Sequence, residues 1–503
     1  MLVIGLISKL LVISLAPQWW NLVLLSRIGM ITLFYSLLLL YNCYYPEYLL
    51  SGIRLFNGFY QVSTITSLAD FFICFLGLLI LGITGFHNFS VISREKNKNL
   101  WNSPENSLEQ IETLESRQCL EYPLVGGFLL LGMQFLVGSL HLISLYLGIE
   151  LQSFSLYILS SLNRSPLTTR SGLKYFLLGS LSSCFILLGI GIMYSCSGVL
   201  SLESLYIFSH YGTENLYWQT GLLIFISGLL FKIAVFPFQN WAVEVYDGVP
   251  TLIGTWLTTL TKISILLVLF EWVYHCYGSW TNLLVFLSFF SILLGSFLGF
   301  SQVRIKRLIV YSMVSNVGFL LLSLSLCTPQ SSESFLFYLI QYSLTNLNIF
   351  LILLSMGYSF RIPDSVESPV MEIRTLKGYC SQNPLLSLCF AISLFSLGGI
   401  PPLLGFFGKY NVLSALISEG YYFLSLIIVI SSVITVAYYL RIIQKIYFEE
   451  SEKSSESFRE ITLSSYLSLI ISILTLIQVF FILSPEILYT FLRITLLNYF
   501  VEF

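Results

Sequence analysis

The sequence predicts an all-α polytopic membrane protein with about fourteen transmembrane helices, and three observations predict it. Of 503 residues, 56% are hydrophobic and 10% are charged, against roughly 25% charged in soluble domains. Apolar runs long enough to cross roughly 30 Å of hydrocarbon recur along the whole chain. The basic residues between those runs crowd onto alternate loops.

In order, the runs cover 2–16, 22–45, 68–87, 123–139, 141–161, 172–197, 218–239, 250–275, 280–300, 306–327, 335–359, 384–419, 421–447 and 462–483. The first lacks the Arg-rich amphipathic character of a transit peptide and any small-residue cleavage site, so it reads as a retained span. The polar loop 88–121 separates the third run from the fourth, and 485–503 reads as an interfacial segment. Loops after odd-numbered runs hold sixteen basic residues: Arg94, Lys96, Lys98 and Arg117; Arg164 and Arg170; Arg304, Lys306 and Arg307; Arg361, Arg374 and Lys377; Arg441, Lys445, Lys453 and Arg459. Loops after even-numbered runs hold Arg54 alone. One missed span would scramble this asymmetry, which places both termini opposite the basic loops.

Composition also excludes chemistry. The net charge is −2 and no basic stripe is present to hold nucleic acid. Nine cysteines are scattered with no CxxC pair, and the four histidines have no metal-ligand spacing. No cofactor or metal is expected on this chain.

Few ionisable residues stand deep in the runs. They are Glu150 in "LYLGIELQSFSLYIL", Lys232 in "LFKIAVFPFQNW", Lys262 in "WLTTLTKISILLVL" and Lys409 in "GIPPLLGFFGKYNVL". A lysine at a membrane helix centre costs about 2.5–3.5 kcal/mol on the insertion scale, so such groups mark ion paths and proton relays. Lys9, Arg27, Asp70 and Lys174 lie nearer run ends, where long side chains snorkel. Lys174 is kept as a supporting residue, and no acid is assigned to Lys262 within its own run.

Proline sharpens the pattern. Pro237 frees the carbonyl of Ile233 beside Lys232, and Pro401 and Pro402 free those of Leu397 and Gly398 before Lys409. Irregular backbone at membrane depth is tolerated only when buried in protein or lining a cavity. Runs seven and twelve are therefore read as broken helices, each with a lysine. Their offset of five implies inverted repeats, runs four to eight against nine to thirteen. The chain then divides into 1–122, a first repeat 123–275, a second repeat 280–447, and 448–503. Lys409 is read as the inverted counterpart of Lys232, unpaired in a pocket that water enters. Run eleven adds Tyr338, Tyr342, Thr345, Asn346 and Asn348, and run ten adds Ser312, Ser315 and Asn316. Singly these bridge helices; together they suit a line of ordered water.

The segments "LFKIAVFPFQNWAVEVYDGVPT", "TTLTKISIL", "YLGIELQSFSLYIL", "GLKYFLLGSLSSCFILLG", "IKRLIVYSMVSNVGF" and "GGIPPLLGFFGKY" resemble the antiporter-like subunits of proton-pumping NADH:ubiquinone oxidoreductase, complex I. The resemblance covers about residues 120 to 450. Lys409 is similar to the chain 2 branch, since the chain 4 branch has glutamate there, and Lys262 suits that branch better than the chain 5 branch. The sequence departs from the family at Gln239 and Asn316, where histidine is usual, at Val243 for proline, and at His141 for aspartate.

The resemblance implies proton translocation through Glu150, Lys232, Lys262 and Lys409. Pro237, Pro401, Pro402, Lys174, Asn316 and Tyr342 would support them. Glu150 and Lys232 would form a switchable pair, Lys262 a central relay and Lys409 the terminal exchange site. It implies redox chemistry in partner subunits that carry NADH, FMN, iron–sulfur clusters and ubiquinone, with phospholipids around the chain. Its partners would be the other membrane-arm subunits, in the mitochondrial inner membrane with both termini in the intermembrane space. The competing functions are a cation/proton antiporter subunit of similar fold and a structural membrane subunit that moves nothing.

Overall fold

A computed structural model describes residues 1–15, 22–44, 52–86, 121–163, 165–211, 215–276, 280–359, 372–450 and 465–501. Nearly all of the loop 88–121 lies outside the described residues, as do Arg164, Arg361, Lys453 and Arg459.

The chain opens with α1 (Leu2–Leu15), α2 (Leu22–Cys43) and α3 (Thr64–Phe86). Between α2 and α3 lies a small antiparallel hairpin, β1 (Ile53–Leu55) and β2 (Tyr60–Val62), which the helix-only reading did not anticipate. Its turn holds Phe56, Asn57 and Gly58 at φ 53°, 56° and 87°, of which Asn57 and Gly58 are residue types that tolerate left-handed backbone. The hairpin docks past α3, on the end of the helix Tyr122–Val137, through Gln61 N–H to Gly138 O at 2.8 Å.

Next come α4 (Tyr122–Val137), α5 (Leu142–Ser161), α6 (Pro166–Ser197), the short α7 (Leu202–Tyr211), α8 (Leu216–Ile233), α9 (Asn240–Gly248) and α10 (Thr251–His275). Then follow α11 (Thr281–Phe300), α12 (Ile305–Ser325), α13 (Pro329–Ser359), α14 (Pro384–Gly398), α15 (Leu404–Ser418) and α16 (Tyr422–Tyr447). The last two are α17 (Ser465–Phe480) and α18 (Pro485–Val501). Local chemistry sets several ends. Ser165 caps α6 by accepting from Thr168 N–H, with Pro166 in the first turn and Gly198 left-handed after the last.

Eleven described helices are long and apolar enough to cross a membrane. Three shorter apolar helices, Leu2–Ser14, Tyr122–Val137 and Pro384–Gly398, fall in the first, fourth and twelfth runs. Burial orders them: α10 and α12 are 94% buried across their apolar windows and α13 89%, against 33% for α16 and α17. These three form the axis of the bundle. Consecutive helices pack closely, α4 on α5 and α11 on α12. Each pair meets at a glycine. A Cβ on Gly132 would lie 2.8 Å from Gln152 N, and one on Gly295 would lie 2.6 Å from Ser315 N.

Both expected helix breaks are present, α8 from α9 and α14 from α15. The snorkelling expected of Lys9 is not found. Its side chain is buried and the ammonium donates to Pro123 O at 3.3 Å, because α1 packs across the start of α4. Asp70, expected near a surface, has one carboxylate oxygen buried without a partner.

Candidate functional site

Glu150 stands midway along α5. One carboxylate oxygen accepts from Ser153 Oγ at 3.4 Å, and the other is buried with no partner. Lys232 occupies the last turn of α8, at the negative end of that helix dipole, and its ammonium is likewise buried without a partner. The two side chains are therefore not hydrogen-bonded to each other. Beyond Lys232 the chain turns through Ala234 at φ 65° and re-forms a helix at Asn240. The indole N–H of Trp241 reaches back to Phe231 O at 3.0 Å, so an aromatic side chain closes this break. Lys174 does not snorkel; it forms an ion pair with Glu244, tying α6 to α9 at the surface. Asp247 does the same for the start of α12, accepting from Arg304 at 2.6 Å and Arg307 at 2.7 Å.

Lys262 is 2% exposed and its ammonium has no partner. It follows directly on a π-helical turn, Trp256–Leu260, a widening that sequence reasoning gave no sign of. The wider turn leaves carbonyls for side chains from elsewhere. Tyr246 OH donates to Leu257 O at 3.2 Å, and Asn346 Nδ2 donates to Thr258 O at 3.3 Å. Gln152, two residues beyond Glu150, joins α5 to the same region. Its amide N–H donates to Thr261 O at 3.2 Å, and its carbonyl accepts from Ser264 Oγ at 3.0 Å. Gln152 was legible as an amide inside an apolar run but was not singled out. Nor was Glu271, an acid in the same helix as Lys262. It corrects the assignment of no acid to that span. Nine residues on, it lies about 13.5 Å along the axis and half a turn round.

Tyr338, Tyr342 and Asn346 repeat every four residues and so share one face of α13. Asn346 bonds the π turn at one end and approaches Tyr342 OH at 3.5 Å. At the other end Tyr338 OH donates to Asn316 Oδ1 at 3.1 Å, while Asn316 Nδ2 is buried without a partner. The ring of Tyr338 packs on Gly408, beside Lys409, where a Cβ would lie 2.8 Å away. This stripe joins the surroundings of Lys262 to those of Lys409.

Lys409 is 8% exposed, and its ammonium donates to Gly398 O at 2.8 Å and lies 5.5 Å from the Phe319 ring centre. The lysine expected to be unpaired thus holds one of the carbonyls that the prolines free. It also follows its break, whereas Lys232 precedes its own, so the two are not equivalent positions of the repeats. Both nevertheless end at the carboxyl end of a half-helix, where the dipole favours a cation. No group of three or more potential metal ligands occurs among the described residues.

Residues 139–435 match the family described as NADH:quinone oxidoreductase/Mrp antiporter, TM. The chain belongs to that family. A relative from Rhizopus oryzae, NADH-ubiquinone oxidoreductase chain 2, is 42% identical over 530 residues, covering 99% of this chain and all of its own. Among solved structures, a chain of respiratory complex I from Thermus thermophilus is 23% identical over 97% of this chain and 98% of its own, with a TM-score of 0.74. A chain of the Mrp complex from Dietzia sp. is 16% identical, covers 100% of this chain and 98% of its own, and has a TM-score of 0.79. These two likenesses show the antiporter-like fold. In this chain the second break is where a buried lysine, Lys409, meets freed backbone.

Proposed function

We propose that this chain is a chain 2-type membrane-arm subunit of mitochondrial NADH:ubiquinone oxidoreductase that moves protons across the inner membrane. The observation that carries the reading is the buried polar stripe Tyr338–Tyr342–Asn346, which spans from the π turn before Lys262 to the pocket of Lys409. Identity of 42% over the whole length of a chain 2 relative supports the assignment to that complex.

In this reading Glu150 and Lys232 load a proton in the first repeat, 123–275, and Lys262 receives it. The stripe, with Asn316 holding water where the family often has histidine, carries it to Lys409 in the second repeat, 280–447. The unpaired buried atoms of Asn316, Asn346 and Asn348 are of the kind that ordered waters satisfy. Like charges a few ångströms apart repel, so a cation arriving at Lys262 is passed on rather than stored beside another. Redox chemistry belongs to partner subunits with NADH, FMN, iron–sulfur clusters and ubiquinone. The membrane orientation follows the basic loops, with both termini in the intermembrane space.

The test is Lys262→Met in the intact complex, reading protons moved per NADH oxidised. The reading expects normal assembly and reduced proton output; full output at full turnover would overturn it. Opening of the Glu150–Lys232 gap is tested by Glu150→Gln, which should impair pumping with assembly intact.

A further inference from the structure

Between the first turns of α13, the outer part of α15 and α18 runs a groove of about 330 Å³. It lies at the end of the bundle opposite the basic loops, and its chemistry is graded along its length. Tyr489 stacks on Phe337 at 4.9 Å, and Phe406 and Phe407 continue that apolar wall. One turn nearer the start of α13, Arg493 Nε donates to both oxygens of Glu333 at 2.9 and 3.1 Å. The two pairings, 337 with 489 and 333 with 493, set α18 antiparallel to α13. The apolar end therefore points into the bundle and the charged end toward the membrane surface.

The ion pair is poorly explained as a staple. The Arg493 side chain is 66% exposed, and surface pairs of that kind add little stability. Among the described residues only its Nε is engaged, which leaves both terminal nitrogens of the guanidinium open along the groove. Glu333, 16% exposed, offers a carboxylate beside them. Tyr410, 58% exposed, stacks on Phe406 and carries the aromatic wall toward this charged lip. An acid and a base side by side over aromatic walls match an amphiphile whose head carries both signs.

We propose that this groove binds a zwitterionic aminophospholipid. Its phosphate takes the open guanidinium nitrogens of Arg493, the geometry in which arginine holds phosphate oxygens best. Its ammonium lies against Glu333, and the first methylenes of one acyl chain lie along Phe406 and Tyr410. A purely anionic head would meet repulsion from Glu333, so the site selects the zwitterion. A neighbouring polypeptide fits less well, because a stable protein interface needs roughly 800 Å² per partner and a broader face than this slot.

The experiment uses the intact complex in nanodiscs with a photoactivatable phosphatidylethanolamine, and phosphatidylglycerol bearing the same photogroup as control. Labelled peptides are mapped and proton output is read in parallel. The wild type is expected to label within 404–418 or 485–501, with phosphatidylethanolamine at least fivefold above phosphatidylglycerol. The double exchange Glu333→Arg with Arg493→Glu keeps an ion pair between the helices but puts the acid on the exposed arm. It should assemble, pump normally and lose the label at least fivefold; Arg493→Gln should lose it as well. Retained labelling in both variants, equal labelling by the two lipids, or capture of a neighbouring subunit by a photoreactive residue at Tyr410 would each overturn the proposal. The proton reading fails separately, on the output of Lys262→Met.

Discussion

At the first break, α8 stops at Ile233 and the carbonyl of Phe231 accepts both the backbone N–H of Ala234 and the indole N–H of Trp241, while Lys232 beside it has no partner. At the second, α14 stops at Gly398 and that carbonyl is taken by Lys409 itself. The turning residues differ as well: Ala234 at φ 65° in one, Gly399 at φ 83° in the other. One break thus separates its structural closure from its buried charge, and the other places both tasks on a single ammonium. A carbonyl freed at membrane depth must find a donor; at the second break Gly398 finds it in the Lys409 side chain, whereas at the first the backbone turn at Ala234 supplies a donor beside the indole.

That contrast is sharpened most by replacing each lysine with methionine. Lys409→Met should abolish coupled proton output and also leave Gly398 O buried and unpaired, costing about 1–3 kcal/mol. Lys232→Met should abolish output with no such cost, because an ammonium without a partner is removed. Thermal unfolding of the purified complex beside proton output per NADH checks both, and equal thermal losses would break the contrast.

Gly399→Ala comes next. A left-handed alanine costs about 1–2 kcal/mol, and the new Cβ would lie 2.8 Å from Lys409 Cδ. Lower thermal stability together with reduced output is expected from the same two measurements, since the methyl displaces the functional ammonium too. Trp241→Phe should cost about 1 kcal/mol for the lost indole hydrogen bond and leave output near normal. If it stops pumping instead, closure and transport are not separate at the first break. The smallest effect is expected from Ala234→Gly, which relieves left-handed backbone and should raise stability by up to about 1 kcal/mol, less the packing of a buried methyl. A shifted unfolding midpoint with unchanged output would show it.

Much of the fold was legible because the bilayer imposes its own grammar. Apolar runs and alternating loop charge follow from the cost of putting backbone or charge in hydrocarbon, and each is written locally. The prolines at 237, 401 and 402 named both breaks for the same reason, since a missing N–H acts within one turn. Glu150, Lys232, Lys262 and Lys409 stood out as charges in apolar surroundings.

The remainder depended on neighbours distant in sequence. Nothing near Lys409 says that it folds back eleven residues to Gly398, and nothing near Lys9 says that it meets Pro123. The π turn before Lys262 has no composition of its own, and donors to its carbonyls come from α9 and α13. Glu271 was visible as a letter, yet its place half a turn from Lys262 matters only once the helix has neighbours. By itself the sequence determined where the apolar runs lie, where two helices break and that Glu150, Lys232, Lys262 and Lys409 stand inside apolar runs. Tertiary structure alone decided which freed carbonyl each donor satisfies, because that choice depends on distances of a few ångströms between helices that the local pattern does not encode.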